Sequence, residues 1–134
     1  MKILLAFDTD GTFWTDEEKS EYICGMIDPR ELDSKLMKNN YVDVLLMRAV
    51  VVSESPYYPK TLGGEPLFEL CNTFGNRFYN LLKAKEAFTK KYGAPDICIY
   101  VDDLDIWRKD AHNAGFAFIN AEKFADMFGV RHET

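Results

Sequence analysis

The sequence is poor in the residues that build disulfide frameworks and zinc sites. Its three cysteines, Cys24, Cys71 and Cys98, are widely separated and contain no Cys-x-x-Cys pair. This pattern disfavours a disulfide scaffold and zinc or redox chemistry. We therefore expect the three thiols to be reduced, which predicts a cytoplasmic protein. The two histidines, His112 and His132, fall in a predicted helix and in the tail, where neither is a persuasive metal ligand.

Long apolar runs and dense basic runs are also missing. The apolar run in the N-terminal MKILLAFD is too short for a signal sequence or a membrane span, so we expect neither. The formal net charge of -6 comes from 22 acidic against 16 basic residues, and no stretch of Lys and Arg forms a phosphate-tracking stripe. Membrane partners and extended nucleic-acid binding are therefore disfavoured, whereas recognition of a single terminal phosphate is compatible with this composition.

The composition does supply material for one globular core. The chain has 134 residues, of which 47% are hydrophobic and 14% are aromatic. A domain of this size buries roughly two thirds of the surface of its unfolded chain. We find no repeat or linker and predict a single domain over 1–134, in which 57–76 form an irregular insertion and 129–134 a frayed tail.

Four continuous apolar runs predict the strands of a mainly parallel sheet. They are Ile3–Phe7, Ala49–Val52, Ile97–Val101 and Phe116–Ile119. Continuous runs, unlike alternating ones, are typical of strands that are buried on both faces. Helical stretches lie between them at 29–47, with a break near Asn39 and Asn40, and at 83–92 and 106–114. The alternation predicts an α/β fold, and NRFYNL at 76–81 is compatible with either a weak strand or a helix.

Polar side chains of one chemical kind follow three of these strands. Asp8 and Asp10 follow the first, Ser53 the second, and Asp102 and Asp103 the third. Ligands of open α/β sheets bind beyond the carboxyl ends of the strands, so these residues predict a site. Clustered carboxylates need a cation, and an all-oxygen donor set suits Mg²⁺ with a substrate phosphate. Taken singly, each residue is also compatible with an ordinary turn or helix cap.

The same motifs resemble those of the haloacid dehalogenase (HAD) superfamily of phosphohydrolases. FDTDGTF is similar to the DxDGT signature, AVVVS to the second motif, IYVDD to the acidic fourth motif and AHNAGF to the stretch that follows it. The resemblance covers most of 1–120 and is nearest to small capless members, such as magnesium-dependent phosphatases and polynucleotide 3′-phosphatase domains. It implies a three-layer Rossmann-like fold with no large cap and a Mg²⁺-dependent phosphatase activity.

The resemblance also implies a role for each residue. Asp8 would be the nucleophile that forms an aspartyl phosphate, and Asp10 would be the general acid and base. Mg²⁺ would be held by Asp8, by the backbone carbonyl of Asp10 and by Asp103, with Asp102 orienting these ligands. Ser53 would hydrogen-bond a phosphoryl oxygen.

A lysine forms the third motif of the family. Because KAKEAF resembles the way other members open this helix, Lys83 is the predicted phosphate-binding lysine and Lys85 is the alternative. Many members also place an acid four residues after the metal-binding Asp of the fourth motif, whereas this sequence has Trp107 there. Capless relatives with a double Asp often lack that acid too.

The segment after Ser53 is the predicted specificity element. It leaves the sheet at the edge that carries the aspartates and presents Tyr57, Tyr58 and Lys60, with Arg77 just beyond it. A loop packed away from the site is the alternative. A capless site is open, which suits a phosphorylated substrate and leaves room for a macromolecular one.

Two other functions compete with a phosphatase. A catalytically inactive HAD-fold binding or regulatory module is the alternative, although no missing residue favours it. A receiver-like signalling domain is excluded because it needs an Asp where Ser53 stands and a Lys where Asn120 stands.

Overall fold

The computed structural model describes residues 1–13, 26–38, 44, 46–53, 58–61, 63–71 and 76–131. Tyr57, one of the predicted specificity residues, lies outside these ranges. Within them, none of the helices combines the length and the apolar character that a membrane span requires.

Five parallel strands form one sheet. They are β1 (Lys2–Phe7), β2 (Leu46–Val51), β3 (Glu69–Leu70), β4 (Ile97–Asp102) and β5 (Ala117–Asn120). Their order is β3-β2-β1-β4-β5, and every neighbouring pair is parallel, so β1 lies at the centre. The four predicted strands are confirmed, although β2 begins at Leu46 rather than at Ala49. The short edge strand β3 was not predicted because two exposed residues carry no periodic pattern.

Four α-helices and one 3₁₀ turn occur in the described residues. They are α1 (Pro29–Lys38), α2 (Arg77–Tyr92), α3 (Arg108–Asn113) and α4 (Ala121–Phe128), with the 3₁₀ turn at Asp105–Trp107. The predicted extension of the first helix to residue 47 is wrong, because Leu46 and Met47 belong to β2. The segment 76–81 opens α2 and is not a strand, since Asn76 Oδ1 caps the helix by accepting a hydrogen bond from Tyr79 N at 2.8 Å.

Apolar side chains bury β1 on both faces of the sheet. On one face Ile3, Leu5 and Phe7 pack with residues of α1 and α4, and on the other Leu4 and Ala6 pack with residues of α2 and α3. A central strand with helices on both sides explains the continuous apolar run that predicted it. The α/β prediction of a three-layer Rossmann-like fold is confirmed, and the described residues contain no large cap.

The parallel arrangement brings the carboxyl ends of the strands to one edge of the sheet. Val52 follows β2 beside β1, where its backbone N–H donates to Phe7 O at 2.9 Å. The helix α2 starts at this same edge, because Arg77 Nη1 donates to Val52 O at 2.9 Å. The fold therefore places the ends of β1, β2 and β4 together with the first turn of α2.

Candidate active site

A tight turn carries Asp8 directly beyond the end of β1. The Asp8 backbone N–H donates to Val101 O at 3.0 Å, which holds this residue against β4. The backbone N–H groups of Thr12 and Phe13 both donate to Thr9 O, at 3.1 and 2.9 Å, so the chain folds back at once. The Phe13 ring is fully buried in the core and anchors the far end of the turn. The Asp8 side chain is thereby held at the edge of the sheet.

Gly11 lets this turn lie against the loop that follows β4. Its φ is +81°, in the region that favours glycine, and a Cβ at this position would overlap the Asp103 carboxylate. Any other residue at position 11 would have to displace Asp103. The glycine that follows Asp10 is therefore required by a tertiary contact as well as by the local turn.

Three carboxylates meet at this edge. One oxygen each of Asp8, Asp102 and Asp103 lies within 4.8 Å of the other two. Asp8 is only 6% exposed, and burial together with the charges of Asp102 and Asp103 raises its pKa to about 7, against the opposing effect of Arg77. Without further positive charge, the folded protein therefore resists ionisation of Asp8.

Asp102 is the most firmly held member of this cluster. Its Oδ2 accepts a hydrogen bond from the buried Tyr100 hydroxyl at 2.5 Å, and its Oδ1 accepts one from Leu104 N at 2.9 Å. Burial nevertheless raises its pKa to about 6, because these two bonds only partly offset the lost solvation. Both oxygens of Asp102 are already engaged, which suits a residue that orients its neighbours.

Asp103 differs from Asp102 in its hydrogen bonding. Its Oδ1 is buried and has no hydrogen-bond partner among the described residues. A buried carboxylate oxygen without a partner is costly, and a bound cation would supply the missing interaction. Asp8 and Asp103 are therefore the side chains of this cluster that are best placed to hold a metal ion, and the all-oxygen donors suit Mg²⁺.

Arg77 supplies the positive charge beside Asp8. Its Nη1 lies 3.1 Å from Asp8 Oδ1, and its side chain is only 12% exposed. Burial works against this charge, but the neighbouring Tyr100 and the carboxylates Asp8 and Asp102 raise the pKa of Arg77. The sequence placed Arg77 only just beyond the predicted specificity segment. The signal that was missed is the N-cap Asn76, which makes Arg77 the first residue of α2 and places it at the carboxyl edge.

The structure does not bring the predicted lysine into this group. Lys83 lies six residues after Arg77, about 9 Å further along the axis of α2. Its ammonium is 3.7 Å from Glu86 Oε2 and 5.4 Å from the Tyr79 ring centroid, on an exposed part of the helix. Lys85 is no better placed, since its ammonium lies 3.2 Å from where a Cβ of Gly115 would be, before the start of β5. The prediction placed the start of α2 too late, and the site position belongs to Arg77.

Ser53 lies at the end of β2 as predicted and has a partner that the sequence did not reveal. The Thr9 hydroxyl donates to Ser53 Oγ at 2.8 Å, and both residues are buried. Thr9 stands between Asp8 and Asp10, so its side chain links the turn after β1 to the end of β2. Asp10 lies in the same turn and is partly exposed.

The described part of the predicted specificity segment lies apart from these contacts. The Lys60 ammonium is 5.1 Å from the Tyr58 ring centroid, and Lys60 is exposed. A backbone bridge pairs Lys60 with Pro66, which closes this segment on itself. None of the contacts of Tyr58 or Lys60 within the described residues reaches Asp8, Asp102 or Asp103, so their role in selecting a substrate stays a prediction.

Comparison of the chain with protein-family models, with curated proteins and with solved structures finds no match. The features of the site are three carboxylates, one guanidinium and a buried hydroxyl pair, which converge at the carboxyl edge of the parallel sheet.

Proposed function

We propose that this protein is a Mg²⁺-dependent phosphomonoester hydrolase of the HAD type, acting through an aspartyl phosphate on Asp8. The observation that carries the proposal is the convergence of Asp8, Asp102 and Asp103 with Arg77 at the end of the central strand. Such a site attracts a cation and, once the cation is bound, a phosphoryl group. The motif resemblance supports the same chemistry.

The balance of charge in the cluster supports a metal requirement. Among the described residues, three buried or half-buried carboxylates lie beside one guanidinium, and this excess of negative charge repels a phosphate ester. Asp8 and Asp103 would hold Mg²⁺ with their side chains, the resemblance adds the Asp10 backbone carbonyl, and Asp102 would orient the set. When bound, the ion supplies the positive charge that lets Asp8 ionise and that draws in the phosphoryl group.

The residues of the chain divide the reaction between them. An ionised Asp8 oxygen attacks phosphorus, the ester P–O bond breaks, and Asp10 donates a proton to the departing alkoxide. Asp10 then takes a proton from a water molecule whose oxygen attacks phosphorus, which releases inorganic phosphate and restores the Asp8 carboxylate. Arg77 and Ser53 hold the phosphoryl oxygens in line during both steps. Arg77 thus takes the role that the resemblance gave to Lys83.

A turnover assay tests this proposal. Purified protein should hydrolyse p-nitrophenyl phosphate in Mg²⁺ and stop in excess EDTA, and Asp8→Asn should abolish turnover because an amide cannot form the phosphoenzyme. Asp105→Asn is the matched control, since Asp105 is exposed on the 3₁₀ turn. Near-native turnover by Asp8→Asn would refute the mechanism.

One observation also favours a binding or regulatory module. In the structure Arg77 pairs with Asp8, so the proposed nucleophile is engaged by an internal cation. A protein that only binds phosphorylated partners has no need of a free nucleophile at this position. Saturable binding of inorganic phosphate in Mg²⁺, without turnover of any member of a phosphate-ester panel, would establish this alternative. The open site would accept a small or a macromolecular ester in either case.

A further inference from the structure

Two aromatic rings flank the guanidinium of Arg77. Its Cζ lies 4.8 Å from the Trp107 ring centroid and 5.9 Å from the Tyr100 ring centroid. Both distances are within the range over which a cation is attracted by the face of an aromatic ring. Arg77 is therefore bounded by a ring from β4 and by a ring from the 3₁₀ turn.

The two rings differ in how they are held. Tyr100 is fully buried, and its hydroxyl is committed to Asp102. Trp107 is half-buried and packs against the core formed with α2 and α3. It ends the turn that follows Asp103, where its backbone N–H donates to Leu104 O at 3.4 Å. Trp107 is thus the partly exposed one of the two rings beside Arg77. It lies four residues after Asp103, one of the proposed metal-binding residues.

The orientation of Arg77 matters because its planar fork is directional. Both of its hydrogen bonds within the described residues use Nη1, to Asp8 Oδ1 and to Val52 O. These two bonds do not use Nη2 or Nε, and a guanidinium whose plane is held can offer these donors to a phosphoryl oxygen. An aromatic ring stacked against the group fixes that plane and excludes water from one side. An acidic side chain at position 107 would instead compete with Asp8 for Arg77.

We propose that Trp107 is a positioning residue of the phosphoryl site, whose indole holds the Arg77 guanidinium in the orientation that binds a phosphoryl oxygen. This inference rests on the function proposed above. In this role Trp107 acts on the phosphoryl group through Arg77.

Substitutions at position 107 separate the aromatic face from simple bulk. Trp107→Leu keeps apolar packing and removes the ring, whereas Trp107→Phe keeps a ring. With p-nitrophenyl phosphate in saturating Mg²⁺, we expect Trp107→Leu to lower kcat/KM about tenfold and to raise the inhibition constant of orthovanadate about tenfold. Trp107→Phe should stay within about threefold of the wild-type protein on both measures. If Trp107→Leu fails to fold, Trp107→Met replaces it as the ringless variant.

Tyr92 offers a matched control for removing an aromatic partner of an arginine. The Arg48 Cζ lies 5.3 Å from its ring centroid, and Tyr92 is at the opposite end of α2, about 22 Å from Arg77 along the helix axis. Tyr92→Leu should leave kcat/KM and vanadate inhibition unchanged. If Tyr92→Leu lost as much kcat/KM and vanadate inhibition as Trp107→Leu, the effect would come from lower stability, and the proposal would be overturned.

A double-mutant cycle with Arg77→Lys tests whether Trp107 acts through the guanidinium. An ammonium has no plane to orient, so adding Trp107→Leu to Arg77→Lys should change vanadate inhibition less than about twofold. A full tenfold loss in both backgrounds, or equal losses in the Leu and Phe variants, would overturn the positioning role alone. Wild-type protein that neither hydrolyses the ester nor binds vanadate would overturn the proposed function, and this inference with it.

Discussion

Asp8→Asn should make the metal-free protein more stable while abolishing its activity. Burial and the neighbouring carboxylates raise the pKa of Asp8 from 3.8 to about 7 in the folded protein. A carboxyl group whose pKa is higher in the folded than in the unfolded state stabilises the fold in its protonated form. That stability is fully present below the unfolded pKa and is lost as the pH rises through the folded pKa.

The magnitude follows from the two pKa values. Relative to a protein in which Asp8 stays protonated, this difference lowers the free energy of unfolding by about 4 kcal/mol above about pH 8. Near pH 5 it lowers it by about 2 kcal/mol. Asparagine resembles the protonated acid in shape and carries no charge. In EDTA, Asp8→Asn should therefore unfold at a higher temperature than the wild-type protein at pH 8, by about 3 to 5 °C for each kcal/mol recovered. At pH 5 the gain should fall to about half.

Thermal unfolding followed by circular dichroism at the two pH values measures this effect. Asp105→Asn is the control, because Asp105 is exposed and lies outside the cluster. This variant should unfold at nearly the same temperature as the wild-type protein at either pH. Saturating Mg²⁺ should stabilise the wild-type protein more than Asp8→Asn at pH 8. An Asp8→Asn protein that is less stable than wild type at pH 8, or whose gain is the same at both pH values, would refute the electrostatic argument.

Three further predictions concern the neighbours of Asp8. Thr9→Val should lower phosphatase kcat/KM about threefold to tenfold by removing the hydroxyl that holds Ser53, and Thr9→Ser should restore it. Asp103→Asn should raise the Mg²⁺ concentration for half-maximal activity at least about tenfold, and an equal effect of Asp105→Asn would remove Asp103 from the metal site. Gly11→Ala should lower the free energy of unfolding, measured in a urea titration, by about 1 to 3 kcal/mol. Because the alanine Cβ displaces the Asp103 carboxylate, the same variant should also need more Mg²⁺ for half-maximal activity, and an unchanged Mg²⁺ requirement would contradict the contact between positions 11 and 103.

Local patterns in the sequence were enough to predict the type of fold and the polar ends of its strands. The apolar run at 3–7 predicted a strand buried on both faces, and it is the central strand of the sheet. Because parallel strands share one carboxyl edge, Asp8, Ser53 and Asp102 were predicted to lie near one another. The structure places all three at that edge. Such inferences succeed because strand burial and strand direction follow from short-range periodicity and from the connections between strands.

Tertiary structure alone decided the contacts that distinguish this site. Arg77 meets Asp8 across 69 positions of sequence, and Thr9 meets Ser53 across 44. No local preference of an arginine or a threonine specifies such a partner. These pairings depend on which strands are neighbours and on where α2 begins. The predicted start of α2 was six residues too late, so the cation of the site was expected at Lys83 instead of Arg77. The sequence by itself determined which residues reach the edge of the sheet, whereas packing of α2 and the 3₁₀ turn against that sheet decided which side chains face each other there.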